Sequence, residues 1–537
     1  MHVNKIALVR NIKTPLSVGG NDNYDEIAIN KALKSIAKSR YKNVIDSKSP
    51  YIYKKSIDAR NKDCICFIYT VAFKVIDSVS VLSDSKARID FASIEAPDFT
   101  CNKKTQGNVI VAGFGPSGMF CALALAKAGL NPIVIERGED VDTRTIKVEK
   151  YWKSGVLDTN TNVQFGEGGA GTFSDGKLLT RISDSLCGYC MQQFVKHGAP
   201  SEILYLAKPH IGTDNLRSVV KSIRNEIVSL GGKVLFSTKL SAIHTDSAGN
   251  VNSITVNENE TINCCALFLC IGHSARDTVM NLAKGGTVIV PKPFSVGVRI
   301  EHLQKDINSS LYGKFSDNNE LGAASYTLSK KIGQRAVYSF CMCPGGVVVA
   351  SASDDGQIVT NGMSYYARDG VNANSAIAVS VGESDCGGTI EGAIRFQENI
   401  EQRAFEIAGG DGTAPIQLLG DFLGETSCSE PNRILPTYTG KTAIRNVKGV
   451  LPEFICENLS DGLRYFEREI HGFCCNDAVL TFPETRTSSP VRICRNEEFI
   501  AEGYTNLYAC GEGAGYAGGI TSASVDGLRA ALKFINS

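Results

Sequence analysis

The chain has no excess of charge, few histidines and no long hydrophobic run, and each shortage closes off a class of function. Lys and Arg number 56 against 56 Asp and Glu, so neither a nucleic-acid footprint nor a polybasic membrane patch is expected, and the ligand is expected to be a small molecule. No stretch of apolar residues is long enough to cross a bilayer, so no membrane-spanning helix is expected. The opening segment, MHVNKIALVR, lacks the continuous apolar core of a signal peptide, which points to a cytoplasmic location. There are only 7 histidines, and the paired cysteines have neither histidines nor further pairs at zinc spacing, so no metal site is expected. Cysteine itself is plentiful. In a reducing compartment the 18 thiols act as small buried hydrophobes rather than as a disulfide framework. At 537 residues the chain exceeds what one core supports, and two or three domains follow.

What is present is organised around residues 107–137, GNVIVAGFGPSGMFCALALAKAGLNPIVIER. Residues 108–112 are a short apolar run of the kind buried in a parallel sheet, and GFGPSG at 113–118 places G-x-G-x-x-G at its end. Gly113 permits the tight turn, Gly115 lets backbone approach a pyrophosphate, and Gly118 lets the following helix, 118–128, lie close to the strand. Pro116 and Ser117 complete the turn, and the free N–H groups and positive end of that helix face the phosphates. Gly129 stops it, and a second strand over 132–135 leads into Glu136 and Arg137. Glu136 lies about 20 residues beyond the first glycine, where a carboxylate accepts hydrogen bonds from a ribose 2′-OH and repels a 2′-phosphate. With all parts in register, the stretch reads as a dinucleotide cradle.

The chain ahead of the cradle, residues 1–100, reads as a small α+β module with a helix over 24–37 and a strand over 64–75. The basic segment YKKSIDAR, 53–60, precedes that strand as a solvated face or a docking surface, and a link over 96–107 follows. Beyond the cradle, QFGEGGAGTFSDGKL at 164–178 is rich enough in glycine for backbone to wrap a cofactor closely; Gly169, Gly171 and Lys177 are its candidate contacts. Thr213 or Asp214 caps a helix over 215–230, Gly231-Gly232 ends it, and strands follow over 233–236 and through 240–256. A buried strand over 266–271 ends at Gly272, returning the chain to the same nucleotide. A returning strand together with a glycine-rich wrap favours FAD over NAD.

Residues 291–480 lose the parallel-sheet rhythm, with strands over 292–302, 338–351 and 372–381 and a helix over 392–408, and read as an inserted substrate domain. Cofactor features then resume at 507–529, LYACGEGAGYAGGITSASVDGLR. Here Gly511-Glu512 forms a turn whose acid suits a ribityl hydroxyl, and Gly518-Gly519-Ile520 opens a helix whose positive end faces a flavin's N1 and O2 edge. The expected fold is α/β: a Rossmann-like FAD-binding domain (107–290 and 481–537), an inserted mixed α+β substrate domain and the N-terminal module.

These segments, with KPHIGTD, KPFSVGVRIEH, FCMCPGG, NANSA and ETRTSSPVRI between them, resemble over nearly the whole chain the bacterial FAD-dependent dehydrogenases called NAD(FAD)-utilising dehydrogenases. The resemblance implies bound FAD, contacted by Gly113, Gly115, Gly118, Glu136, Arg137, Gly511, Glu512, Gly519 and Ile520, and it names no substrate. The expected activity is two-electron redox chemistry on a small, acidic organic substrate, with NAD(P)H as a candidate transient electron donor. Arg299 and Arg486 are candidate carboxylate clamps that could equally pair with Glu301 or Glu484, and His210, His273 and His302 are candidate proton donors. Two other readings stand beside this one. Cys187-x-x-Cys190, outside the family pattern, has the spacing of a flavin-linked dithiol, and Cys341-x-Cys343 sits beside a Pro-Gly-Gly turn, although no second dinucleotide cradle accompanies either. Alternatively FAD is a structural or redox-sensing ligand and the N-terminal module recruits a partner.

Overall fold

The computed structural model describes residues 4–17, 22–76, 89–94, 96–101, 106–424 and 428–537, so part of the expected link, 102–105, lies outside the described residues. Five parallel strands form the sheet that carries the cradle, in the order Leu507–Ala509, Ala266–Leu269, Val109–Ala112, Ile133–Ile135 and Lys233–Leu235. Val109–Ala112 and Ala266–Leu269 are buried throughout, as unbroken apolar runs at the centre of a covered sheet must be. The helix after the first strand, Pro116–Lys127, is buried on every face down to its last turn and packs along the C-terminal helix Ile520–Asn536. Glycine makes both approaches possible. A Cβ on Gly118 would stand 1.9 Å from the Gly113 carbonyl oxygen, and one on Gly527 would stand 2.1 Å from that of Ser117. Thus the first and last segments of the cofactor half are pinned together, four hundred residues apart in the chain.

Residues 294–484 fold around a seven-stranded mixed sheet ordered Ser329–Ile332, Arg335–Cys343, Asn372–Val381, Phe294–Leu303, Val479–Glu484, Ala414–Leu418 and Thr442–Ile444. Its central strands are almost wholly buried between helices such as Ile390–Ala408 and Glu453–Phe466 and the rest of the protein. Val479–Glu484 runs across the expected division at 480 and pairs with Phe294–Leu303, so this last strand belongs to the inserted sheet.

The N-terminal residues form a four-stranded antiparallel sheet, ordered Ile45–Asp58, Cys66–Val75, Asn4–Pro15 and Ile89–Ile94, covered by the helix Tyr24–Lys38. Its core is continuous with that of the seven-stranded sheet, so the module is not energetically separate. The basic 53–60 segment precedes the strand Cys66–Val75 as expected, and as far as Asp58 it is itself the end of the edge strand Ile45–Asp58. Lys55 there donates its backbone N–H to Tyr205 O (2.8 Å), accepts from Ala207 N (2.8 Å) and pairs through Nζ with Asp25 (2.9 Å). That is a docking surface used within the chain. Among the described residues no helix is long and apolar enough to cross a membrane.

Candidate active site

The carboxyl ends of four of the five parallel strands open into one cavity, as expected where strand order reverses in an open α/β sheet. It encloses about 340 Å³ and extends from Gly113, Gly115, Pro116 and Ser117 past Glu136, Arg137 and Gly272 to Glu512 and the helix opening at Gly518, Gly519 and Ile520. The glycines divide by role. A Cβ on Gly115 would meet only Gly169 Cα, at 3.7 Å, so the space above it belongs to the cavity; Gly518 and Gly519 face open space. Gly118 and Gly511 do not line the cavity. Gly118 serves helix packing alone, and Gly511 donates its N–H to Asp526 (2.6 Å) and is pressed against Ser117, so its expected ligand contact is replaced by a structural one.

Glu136 is placed as its spacing predicts, but it is already in use. Its carboxylate accepts backbone N–H bonds from Phe114 (2.7 Å), Gly138 (3.0 Å) and Gly166 (2.9 Å), bracing three chain segments while one edge faces the cavity. Arg137 lines the wall as well, paired with Asp277 (2.6 Å) and stacked on Phe165. Opposite the cradle turn lies the glycine-rich wrap, where Gly169 approaches Gly115 closely enough that a Cβ would sit 3.0 Å from its Cα. The residue that shapes this wrap is Arg144. With no exposed surface, it donates from Nε to Asn162 O, from Nη1 to Gly166 O and Glu167 O, and from Nη2 to Val163 O and Gly169 O. All five guanidinium hydrogens are thereby used. Sequence reasoning passed over Arg144, because an arginine in an amphipathic helix, Val141–Ser154, is ordinarily a solvated one.

Residues 293–487 match the family described as FAD-dependent protein, C-terminal domain-like. A protein of Clostridium beijerinckii described as uncharacterized is 47% identical over 492 residues, covering 90% of this chain and 92% of that one. The chain belongs to the same family as that protein, and its residues 293–487 belong with the FAD-dependent C-terminal domain. Among solved structures, CtdE in complex with FAD aligns over 79% of this chain and 83% of its own at 12% identity and a TM-score of 0.30. The flavin-dependent brominase Bmp2 aligns over 81% and 80% at 11% identity and a TM-score of 0.38.

The cavity of this FAD-dependent protein fits the group its family carries. The residues that would hold it are the Gly113–Ser117 turn and Glu136 at the dinucleotide end, Gly169 and Gly171 of the wrap, and Glu512 with the helix start at Gly518, Gly519 and Ile520 at the flavin end. One nitrogen of a cavity-lining histidine also lacks a partner among the described residues. His273 holds Glu512 through Nδ1 (3.2 Å), while its buried Nε2 bonds nothing in the chain. Bound FAD supplies two-electron redox chemistry.

At the far end the inserted domain closes the cavity with Phe340, Cys341, Asn361, Glu484 and Arg486. Arg486 reaches the wall, but its donors go to Glu401, Ser353, Asp354 and Gln357, which corrects the expectation of a free carboxylate clamp. Arg299 lies behind the wall with no exposed surface, bonded to Glu484 Oε1 (3.1 Å), Asn374 Oδ1 (2.9 Å) and Cys341 O (2.5 Å); it cannot touch a ligand. His210 is off the cavity too, bonded to Tyr366 O (3.0 Å) and stacked on the Tyr366 ring, and burial with the nearby Arg368 charge lowers it to about 4. His302 is buried against Phe473. Cys187 and Cys190 sit in the helix Leu186–Lys196 and neither lines the cavity. Lys177 does line it, with Nζ held by Met342 O and 3.4 Å from Asp175.

Glu484 is the carboxyl that this end of the wall presents beside Cys341. Burial pushes its carboxyl up to about 7 against the opposing pull of Arg299. A carboxyl poised there can give or take a proton at neutral pH.

Proposed function

We propose that the protein is an FAD-dependent oxidoreductase carrying out two-electron chemistry on a small organic substrate, in a Rossmann-like cofactor domain closed by the inserted domain. One observation carries this reading: the cavity that begins at the Gly113–Ser117 turn ends, without interruption, at Phe340, Cys341, Asn361 and Glu484 of the inserted domain. A cofactor held for structure alone would need no second domain to complete its cavity. Glu484 is the group we assign to proton transfer with the substrate, since it faces the cavity and is poised near neutrality, while Arg299 fixes its orientation. The Ile520–Asn536 helix start offers its positive end to negative charge developing on the cofactor during reduction. NAD(P)H is the proposed transient donor.

The test is an anaerobic visible spectrum of the purified protein before and after NADH or NADPH is added. Flavin bands that bleach support the reading. Bands unmoved by either nucleotide or by candidate organic reductants would reduce the flavin to a structural ligand, and a colourless protein would remove it.

A further inference from the structure

Two cysteines stand where the inserted sheet meets the cavity, and the chain around them departs from regular strand geometry. In Arg335–Cys343 the pairing register with Asn372–Val381 shifts between Phe340 and Cys343, and Cys341 takes a positive φ of 44° that turns it out of the strand's alternation. Cys341 thereby lines the cavity, half-buried, while Cys343 is fully buried directly behind it. The Cys343 thiol is folded back towards its neighbour and donates to Cys341 O at 3.3 Å.

Cations surround this pair. Arg299 Nη2 lies 3.5 Å and Lys177 Nζ 3.8 Å from Cys343 Sγ, and Arg299 also binds the Cys341 carbonyl. Glu484 lies against Arg299, and Asp175 is shared between Lys177 and Arg368, so the cations at the pair are only partly compensated. The Cys343 thiol and then the Lys177 and Arg299 charges pull the Cys341 thiol well below the ordinary thiol range, against the opposing effect of burial.

Building on the reading of the cavity as an FAD site, we infer that Cys341 and Cys343 are a redox-active pair exchanging electrons with the bound cofactor. In the oxidative direction the Cys341 thiolate and Cys343 thiol give up two electrons and one proton, an S–S bond forms between them, and FAD is the acceptor of all three. In the reverse direction the S–S bond takes up the same two electrons and proton. The protein then stores a second electron pair, on a sulfur exposed to whatever substrate enters the cavity.

The test is an anaerobic reductive titration of the oxidised holoprotein with dithionite, following flavin absorbance, together with alkylation and mass mapping of the tryptic peptide 336–368, whose only cysteines are Cys341 and Cys343. Wild type should consume about twofold the reductant per flavin that Cys341→Ser or Cys343→Ser consumes, and peptide 336–368 should be unalkylated before the titration and doubly alkylated after it. Equal consumption, or a peptide alkylated equally in both states, overturns the inference while leaving the FAD reading intact. A colourless protein overturns both. If either serine variant fails to fold, the wild-type peptide mapping alone decides.

Discussion

Nη2 of Arg486 lies 3.1 Å from Oε2 of Glu401, a carboxylate with no exposed surface. Arg276 approaches the same carboxylate with both terminal nitrogens at 2.8 Å, and Thr485 Oγ1 adds a third donor. Glu401 comes from the helix Ile390–Ala408 of the inserted domain and Arg276 from a helix of the cofactor half, so this buried cluster locks the two together. Burial alone would raise the Glu401 carboxyl, but the guanidiniums of Arg276 and Arg486 outweigh it and hold the pKa at about 2. A carboxyl depressed in the folded state contributes stability that is present above its ordinary pKa of 4.5 and is lost as pH falls towards 2. Glu401→Gln should therefore destabilise the protein by about 3 kcal/mol at neutral pH and flatten its acid-unfolding curve between those two values. Chemical denaturation across that range checks it; parallel wild-type and variant curves would contradict the assignment.

Arg144 makes a second, sharper prediction. An ammonium has three hydrogens and cannot serve five carbonyls, so Arg144→Lys leaves backbone acceptors of the 162–169 wrap unpaired in a buried site. The variant should lose at least about 3 kcal/mol of stability and most of its bound flavin. The flavin-to-protein absorbance ratio after gel filtration reads the second effect directly.

Gly115 and Gly118 should respond differently to the same added methyl. Gly118→Ala drives Cβ into the Gly113 carbonyl at 1.9 Å and should prevent folding. Gly115→Ala meets nothing closer than 3.7 Å among the described residues, so its apoprotein should fold with an unchanged melting temperature and retain FAD at least about tenfold less tightly. Equal flavin retention by Gly115→Ala and wild type would place the pyrophosphate elsewhere.

How much of this was legible in the sequence divides along local and non-local lines. The cradle, its glycine roles and the closing helix at Ile520 were readable because each depends on backbone geometry that a short motif dictates. The wall of the inserted domain was not, since Glu484 and Cys341 are brought to the cavity by the pairing of Val479–Glu484 and Arg335–Cys343 with strands distant in sequence. Arg299 and Arg486 show the converse. Both lie in the segments that motif reasoning picked out, and one pairing it allowed, Arg299 with Glu484, is formed, yet Asn374, Glu401 and Asp354 are invisible as partners until the sheet and the helix Ile390–Ala408 are assembled. An arginine's neighbours, not its motif, decide whether it is free to bind.

Glu484 offers the last prediction, with a pH dependence opposite in sign to that of Glu401. Its carboxyl is raised from 4.5 to about 7 by burial, so the folded protein binds a proton there that the unfolded chain has released. The associated stability is fully present below 4.5 and is lost as pH rises through about 7. Glu484→Gln has no such proton, so the stability of wild type relative to the variant should fall by about 3 kcal/mol as pH is raised across that window. The same titration should appear in turnover. Where wild type shows a limb near neutrality in the pH dependence of kcat/KM, Glu484→Gln should show a flat and lower profile, while its flavin spectrum and content stay those of wild type. A variant that keeps the limb would return the proton-transfer role to another group on the cavity wall, with His273 the nearest in kind, since its Nε2 faces burial without a partner.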